Sequence, residues 1–384
     1  MTSDIPLLLP FTSMFSGSNW GIGRHSSRFS VKLIFAIFAL SIIVVIGLFK
    51  ASSHPYAIFV SDRVRNGIEG KVDDNIPNQV HYVWAQNDTS KDLLFKFEQY
   101  LSVYSAWYYW KPDTIYLHTN ARESTIARAR EGVVSKWAMR MLTIPVMKVN
   151  RVEMPTATRH GTVFTFPEHI SDFARVRAVH DYGGVYIDFD IQPLRDVAVL
   201  RRSGFNAIGG RQNDNNLNSG SFMAKKGSKM ITKWMNMMHD VYDGKWTTHS
   251  NDALTAVARS LVPDAGEMLI MDREAFAPIG WLFPDARELF GLHNDTGSPL
   301  EQHVPGQPLP SYDNSQRPAW ARDFSTSYLI HSFTPDWSLN PVPGVTEITP
   351  AYVLHRQSNF ACATYPVVRD MYHKGLVTLE DGEL

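Results

Sequence analysis

Two adjacent glycines followed by an acid-bearing apolar run, Gly183-Gly184-Val185-Tyr186-Ile187-Asp188-Phe189-Asp190-Ile191, constrain this chain more than any other stretch. Just upstream, Phe173, Val176 and Val179 recur at helical spacing behind Ser171, a good N-cap residue, so a short helix over 171–182 is expected. Asp172 and Arg175, three apart, share another face of it. The glycine pair stops the helix, because glycine takes the left-handed conformation without steric cost. Val185, Ile187, Phe189 and Ile191 then alternate with Tyr186, Asp188 and Asp190, the period of a strand. On such a strand Asp188 and Asp190 point the same way, about 7 Å apart. Two carboxylates there form a hard-oxygen site for Mn²⁺ or Mg²⁺ that leaves room for phosphate oxygens. A solvated strand end carries such a pair as well, but a buried apolar strand does so only with positive charge beside it.

Around this stretch, apolar runs alternate with helical patterns. Val80–Trp84 reads as a first strand, Leu93–Trp110 as a helix and Thr114–Leu117 as a second strand. Ser124–Met141 holds one or more helices, and 142–149 carries a third strand. Asn206–Gly209 and Ser221–Ala224 are further short strands, separated by the polar run Arg211–Gly220. Helices follow over Lys229–Tyr242, with Ile231, Trp234 and Met238 on one face, and over Asn251–Leu261. The Pro-rich stretch 278–318 is irregular apart from a short helix near 285–290. This alternation predicts an α/β fold built on a mostly parallel sheet, in which ligands bind at the strand carboxyl ends.

The order S-D-x-x-R at Ser171–Arg175, G-G-x-Y at Gly183–Tyr186 and D-x-D at Asp188–Asp190 resembles the DXD-containing glycosyltransferases of the GT-A (Rossmann-like) fold. The nearest look-alikes are the family-32 enzymes, including fungal mannosyltransferases. The resemblance spans roughly Ile76 to Ser332 and is densest over Ser171–Asp196. It implies that Asp188, Asp190 and a histidine near His331 hold one Mn²⁺ or Mg²⁺ against a donor diphosphate. It also implies that Asp172 and Arg175 reach the donor sugar and phosphates, that Tyr186 belongs to the donor site, and that Trp84 stacks on the donor base. The Asn-Ser-Gly turn at Asn218 matches one that family members place beside the sugar. Hexose transfer with retention is the implied reaction, from GDP-mannose in the first instance or from a UDP-hexose. The acceptor is a glycan, a sphingolipid or a small lipophilic molecule; nothing in the sequence chooses among them.

Composition trims the alternatives. Lys+Arg of 37 against Asp+Glu of 38 leaves no basic surplus, which argues against nucleic acid as a partner. Cys362 is the only cysteine, so neither an intrachain disulfide nor a cysteine-rich metal site can form. Residues 1–30 read as a disordered cytosolic tail, and Leu33–Phe49, uncharged between Lys32 and Lys50, as a membrane anchor occupying 31–50. A stem over 51–75, a catalytic domain over 76–340 and a C-terminal extension over 341–384 complete the expected organisation. Arg24, Arg28 and Lys32 before the span balance Lys50, Arg63 and Arg65 after it, so charge does not set orientation. A single-pass Golgi or ER membrane protein with a luminal catalytic domain follows from the family resemblance instead. Usable sequons at Asn87 and Asn294 are compatible with that placement. The competing readings are a metal-dependent phosphohydrolase and a membrane-tethered glycan-binding protein without activity.

Overall fold

Apolar residues make up most of the runs that pair into the central sheet of this computed structural model, which describes residues 75–294, 317–339 and 341–384. The expected tail, anchor and all but the last residue of the stem lie outside those residues. Among the described residues, no helix is long and apolar enough to cross a membrane. The strands are β1 (Gln79–Trp84), β2 (Thr114–Thr119), β3 (Met147–Arg151), β4 (Gly184–Ile187), β5 (Ile191–Pro193), β6 (Ala207–Arg211), β7 (Leu217–Ala224), β8 (Met268–Met271) and β9 (Leu329–His331). Seven of them form one sheet in the order β3-β2-β1-β4-β7-β6-β8. All run parallel except β7, which is antiparallel to both β4 and β6. β5 and β9 pair antiparallel in a separate ribbon that registers Ile191 with His331.

Helices cover both faces, and period-two alternation assigns each strand residue to a side. Val185, Ile187 and Met223 pack with the Phe97–Trp110, Lys136–Leu142 and Asn359–His373 helices. Tyr186, Phe222 and Ala224 face the Pro167–Tyr182, Lys229–Val241 and Ala253–Leu261 helices instead. The expected C-terminal extension belongs to the first of these cores, where Phe360, Tyr365, Val368 and Met371 are buried.

Several expected boundaries move, each for a local reason. The helix carrying Asp172 starts at Pro167, not Ser171, because proline at the first turn gives up no hydrogen bond and its φ is already helical. The first long helix begins at Phe97 rather than Leu93; Gln99 reaches back to the Lys96 N–H at 2.9 Å, and Leu93 and Phe95 are buried ahead of the helix. β3 starts at Met147, since Ser135 caps a helix that runs on through Leu142. β7 begins at Leu217, so the last four residues of the polar run are strand. The main correction concerns the expected strand 185–191. It breaks into β4 and β5, because the Ile191 N–H turns back to the Asp188 carbonyl at 3.1 Å. Asp188 and Asp190 therefore sit in a tight turn rather than on one strand face.

Beneath that turn, a directional hydrogen-bond chain ties four segments together. Asn150 on β3 donates to His118 Nδ1 (3.0 Å), His118 and His81 meet at 2.9 Å, and His81 Nε2 donates to the Gly183 carbonyl at 2.8 Å. Next to it, Gly184 has φ +116°, and a Cβ there would stand 2.5 Å from the Gln79 carbonyl, so β1 and β4 pair this closely only around glycine. Burial disfavours the charged ring and lowers His81 to about 4; burial, with His81 adding to it, lowers His118 to about 3. Both values lie below the ordinary 6.5, so the unfolded chain binds the extra protons. The stability these rings contribute is thus whole above pH ~6.5 and is lost as pH falls toward ~4. Glu98, pushed up to about 7 by burial, works in the opposite sense. A His118→Gln variant isolates the histidine part. Its urea midpoint is expected to fall less than the wild type's between pH 6.5 and 4.5, and equal falls would refute the assignment.

Candidate metal and sugar-donor site

β7 runs against its neighbours, and this brings Gly220 under the Asp188–Asp190 turn, where its carbonyl accepts the Asp188 N–H at 2.9 Å. β9, paired to β5, delivers His331 to the same point. One ligand atom from each of Asp188, Asp190 and His331 then lies within 4.8 Å of the others. His331 Nε2 stands 3.2 Å from Asp190 Oδ2, and its Nδ1 lies 2.7 Å from the Asn218 amide nitrogen. Asn218 Oδ1 is taken by the Gly220 N–H at 2.6 Å, which fixes the amide. A Cβ on Gly220 would come 2.6 Å from Asp188 Oδ2 and 3.0 Å from His331 Cε1. Two carboxylates, an imidazole and a cradle with no room for a methyl group fit a small divalent cation with hard-ligand preference.

Positive charge is supplied from the helix. Arg175, buried, donates from Nη1 to Asp188 Oδ2 (3.2 Å) and to the Ser219 carbonyl (3.0 Å), while Nη2 meets Asp172 Oδ1 at 2.8 Å. Its guanidinium also lies 4.8 Å from the Tyr186 ring centre, and Tyr186 donates its hydroxyl to Asp188 Oδ1 in a short bond. Burial alone would lower the Arg175 pKa, but Asp188, Tyr186 and Asp172 outweigh it and hold the charge more firmly than usual. Burial pushes the Asp188 carboxyl up, with Arg175 opposing and Asp190 reinforcing. Burial acts upward on Asp190 as well, but the charge and hydrogen bond of His331 overcome it and leave Asp190 below the ordinary range. A pair of neighbouring acids whose affinities for protons are driven apart in this way marks a functional centre more often than a structural one.

These groups line a cavity of about 830 Å³. Of the residues expected at the site, Asp172, Arg175, Asp188, Asp190, Asn218 and His331 all border it. Asn218, expected at the sugar in a turn, lies in β7 instead and is buried there, since His331 and Gly220 satisfy its amide. Tyr186 lies beneath the cavity, bonded to Asp188. Trp84 does not line it: it packs against Phe95 and Phe189, with centroids 4.6 and 5.7 Å away. Other lining residues went unread in the sequence, Glu98, Trp246 and Glu383 among them. Glu98 holds Ser332 Oγ at 2.9 Å and Thr334 by a shorter bond, Trp246 is exposed at the rim, and Glu383 pairs with Lys96 at 2.8 Å. None of them sits in a motif; only the fold brings them here.

The sequence model described as a glycosyltransferase sugar-binding region containing a DXD motif matches residues 61–213. No curated protein matches the chain. Among solved structures, the PaToxG glycosyltransferase is similar at 12% identity, 49% coverage of this chain and 70% of its own, with a TM-score of 0.36. Apo GlyE of Streptococcus pneumoniae TIGR4 is similar at 10% identity, 78% coverage of this chain and 64% of its own, with a TM-score of 0.36. Mouse xyloside xylosyltransferase 1 in its apo form follows at 11% identity, covering 51% of this chain and 86% of its own, with a TM-score of 0.31. The sequence match, together with the geometry, supports a DXD-type glycosyltransferase with a possible metal site at Asp188, Asp190 and His331.

Gly220→Ala tests the cradle directly. The added methyl group must displace the Asp188 carboxylate or His331, so Mn²⁺ affinity by calorimetry or electron paramagnetic resonance should fall about tenfold or more, in line with ligand-orienting changes at metal sites. Unchanged Mn²⁺ binding would show that the ion lies elsewhere.

Proposed function

We propose that this protein transfers a hexose from a nucleotide sugar to a hydroxyl-bearing acceptor, with Asp188, Asp190 and His331 holding Mn²⁺ or Mg²⁺ against the donor diphosphate. One observation carries the reading: the three candidate ligands converge within 4.8 Å in the same cavity that Asp172 and Arg175 border. A bound ion would supply Lewis-acid neutralisation of the charge that grows on the departing nucleoside diphosphate. The chain's own residues do the rest. Tyr186 and Arg175 hold Asp188 at both oxygens, so the carboxylate is oriented before any ligand arrives. Arg175 places a fixed positive charge beside the two acids, where diphosphate oxygens would otherwise be repelled. Asp172 spends one lone pair on Arg175 and keeps others for sugar hydroxyls at the cavity surface. Trp84, at the end of β1 and in contact with Phe189 of the turn, is the candidate neighbour of the donor base.

GDP-mannose is the proposed donor, ahead of the UDP-hexoses, on the resemblance to family-32 mannosyltransferases. The proposed acceptor is a glycan, a sphingolipid or a small lipophilic molecule. It would attack on the face that the nucleotide leaves, giving retention. The apolar run Leu33–Phe49 and the same resemblance support a Golgi or ER single-pass protein with a luminal catalytic part. A phosphohydrolase with paired metals finds less support, because Asp188, Asp190 and His331 form the sole such cluster among the described residues.

Detergent-solubilised protein incubated with GDP-mannose or UDP-hexoses should release nucleoside diphosphate only when Mn²⁺ or Mg²⁺ is added. Asp190→Asn should lower that release by a factor of about 10² or more, the usual scale for losing one electrostatic stabiliser, with an unchanged urea midpoint. Full activity in Asp190→Asn would remove the role given to that carboxylate, and metal-dependent cleavage of phosphate monoesters instead would favour the hydrolase.

A further inference from the structure

Asp172 has a second partner that no motif announces. His249 is fully buried, and its Nε2 stands 2.8 Å from Asp172 Oδ2, while Arg175 takes Oδ1 at 2.8 Å. A carboxylate accepts only, so the ring nitrogen is the donor. The ring is also held in plane: it stacks on Phe173 at 5.5 Å and 13°, and Tyr242 meets it at 5.1 Å. Its other nitrogen, Nδ1, is buried without a hydrogen-bond partner. A histidine serving only to fill the core would be better replaced by phenylalanine at this place, since a buried nitrogen without a partner loses its hydration and gains nothing in return. The residue sits in a single π-helical turn, Thr248–Asp252, a rare backbone form that recurs at functional sites. That turn is tied to the site independently, because Asn251 Oδ1 accepts the Ser219 N–H at 3.1 Å and the Ser219 carbonyl accepts from Arg175.

We infer that His249 is a positioning residue for the donor sugar: with Arg175 it clamps both oxygens of Asp172, so that the remaining lone pairs of that carboxylate face the hydroxyls of the hexose. A carboxylate offers about four lone-pair sites, and the two clamps leave two, enough for a pair of adjacent ring hydroxyls. Fixing the carboxylate before binding removes the ordering cost that would otherwise fall on the sugar contact. The assignment rests on the donor-site reading of Asp172 given above. It concerns the sugar and leaves the nucleotide diphosphate untouched, and that separation makes it testable.

The experiment compares wild type, His249→Phe and His249→Gln in the full-length protein, with Mn²⁺ present, by calorimetric titration of GDP against GDP-mannose and of UDP against UDP-glucose. Phenylalanine keeps the stacking on Phe173 but donates nothing; glutamine restores an N–H close to the position of Nε2. His249→Phe should bind the nucleoside diphosphate within twofold of wild type, yet lose about tenfold in affinity for the nucleotide sugar. His249→Gln should recover most of that loss. Equal weakening of both ligands, no weakening of either, or unfolding of both variants in urea would each overturn the positioning role. If the wild-type protein itself fails to bind either nucleotide sugar, the donor-site reading fails first and takes this assignment with it, an outcome recognised because no variant is then needed to see it.

Discussion

Arg175 buries a full positive charge between Asp172 and Asp188, and that charge makes the rest of the site possible. Two half-buried carboxylates two positions apart in a tight turn repel each other and lose solvation, and without a cation nearby one would take up a proton. The guanidinium meets both Asp172 and Asp188 at hydrogen-bonding distance and lies over the Tyr186 ring. His331, delivered by β9, meets Asp190 at 3.2 Å. The acids are thus partly compensated before an ion arrives, which leaves them oriented yet still rich in negative charge. Removing Arg175 would leave Asp172 and Asp188 without their cation, a loss that typically costs several kcal/mol.

The elements that meet here come from distant parts of the chain. Helix Pro167–Tyr182 brings Asp172 and Arg175, the turn after β4 brings the acids, β7 brings Asn218 and Gly220, and β9 brings His331. Antiparallel β7 is the unusual piece. Its reversal inside an otherwise parallel sheet sets Ser219 and Gly220 against the carboxyl end of β4, and the missing side chain at Gly220 lets Asp188 and His331 approach each other. Behind β4, the His118–His81–Gly183 chain holds the glycine turn from which the acidic stretch departs.

Much of this was legible in the residues themselves. Periodicity located the helix with Phe173, Val176 and Val179 on its buried face, and the glycine pair marked its end, since Gly183 takes φ +73°. The i,i+3 spacing of Asp172 and Arg175 put them on one helix face, where they form a buried ion pair. The break between Ile187 and Ile191 was not legible, because alternation continues through Phe189 while the backbone turns back on itself. Asn218 was read as part of a turn in a polar run; it is buried because β7 sets it beside His331, more than a hundred residues away in sequence. Glu98 and His249 escaped notice for the same reason. Each is a single polar residue in an apolar or mixed segment, and its partners, Ser332 with Thr334 for Glu98 and Asp172 for His249, are supplied only by tertiary structure.

Crystals grown with Mn²⁺ and a nucleoside diphosphate, measured at the manganese absorption edge, test the central claim most directly. Anomalous density for one ion within about 2.5 Å of an Asp190 carboxylate oxygen, with diphosphate oxygens on its open side, is the predicted result. An ion bound away from Asp188, Asp190 and His331, or nucleotide lodged in a different cavity, would contradict it.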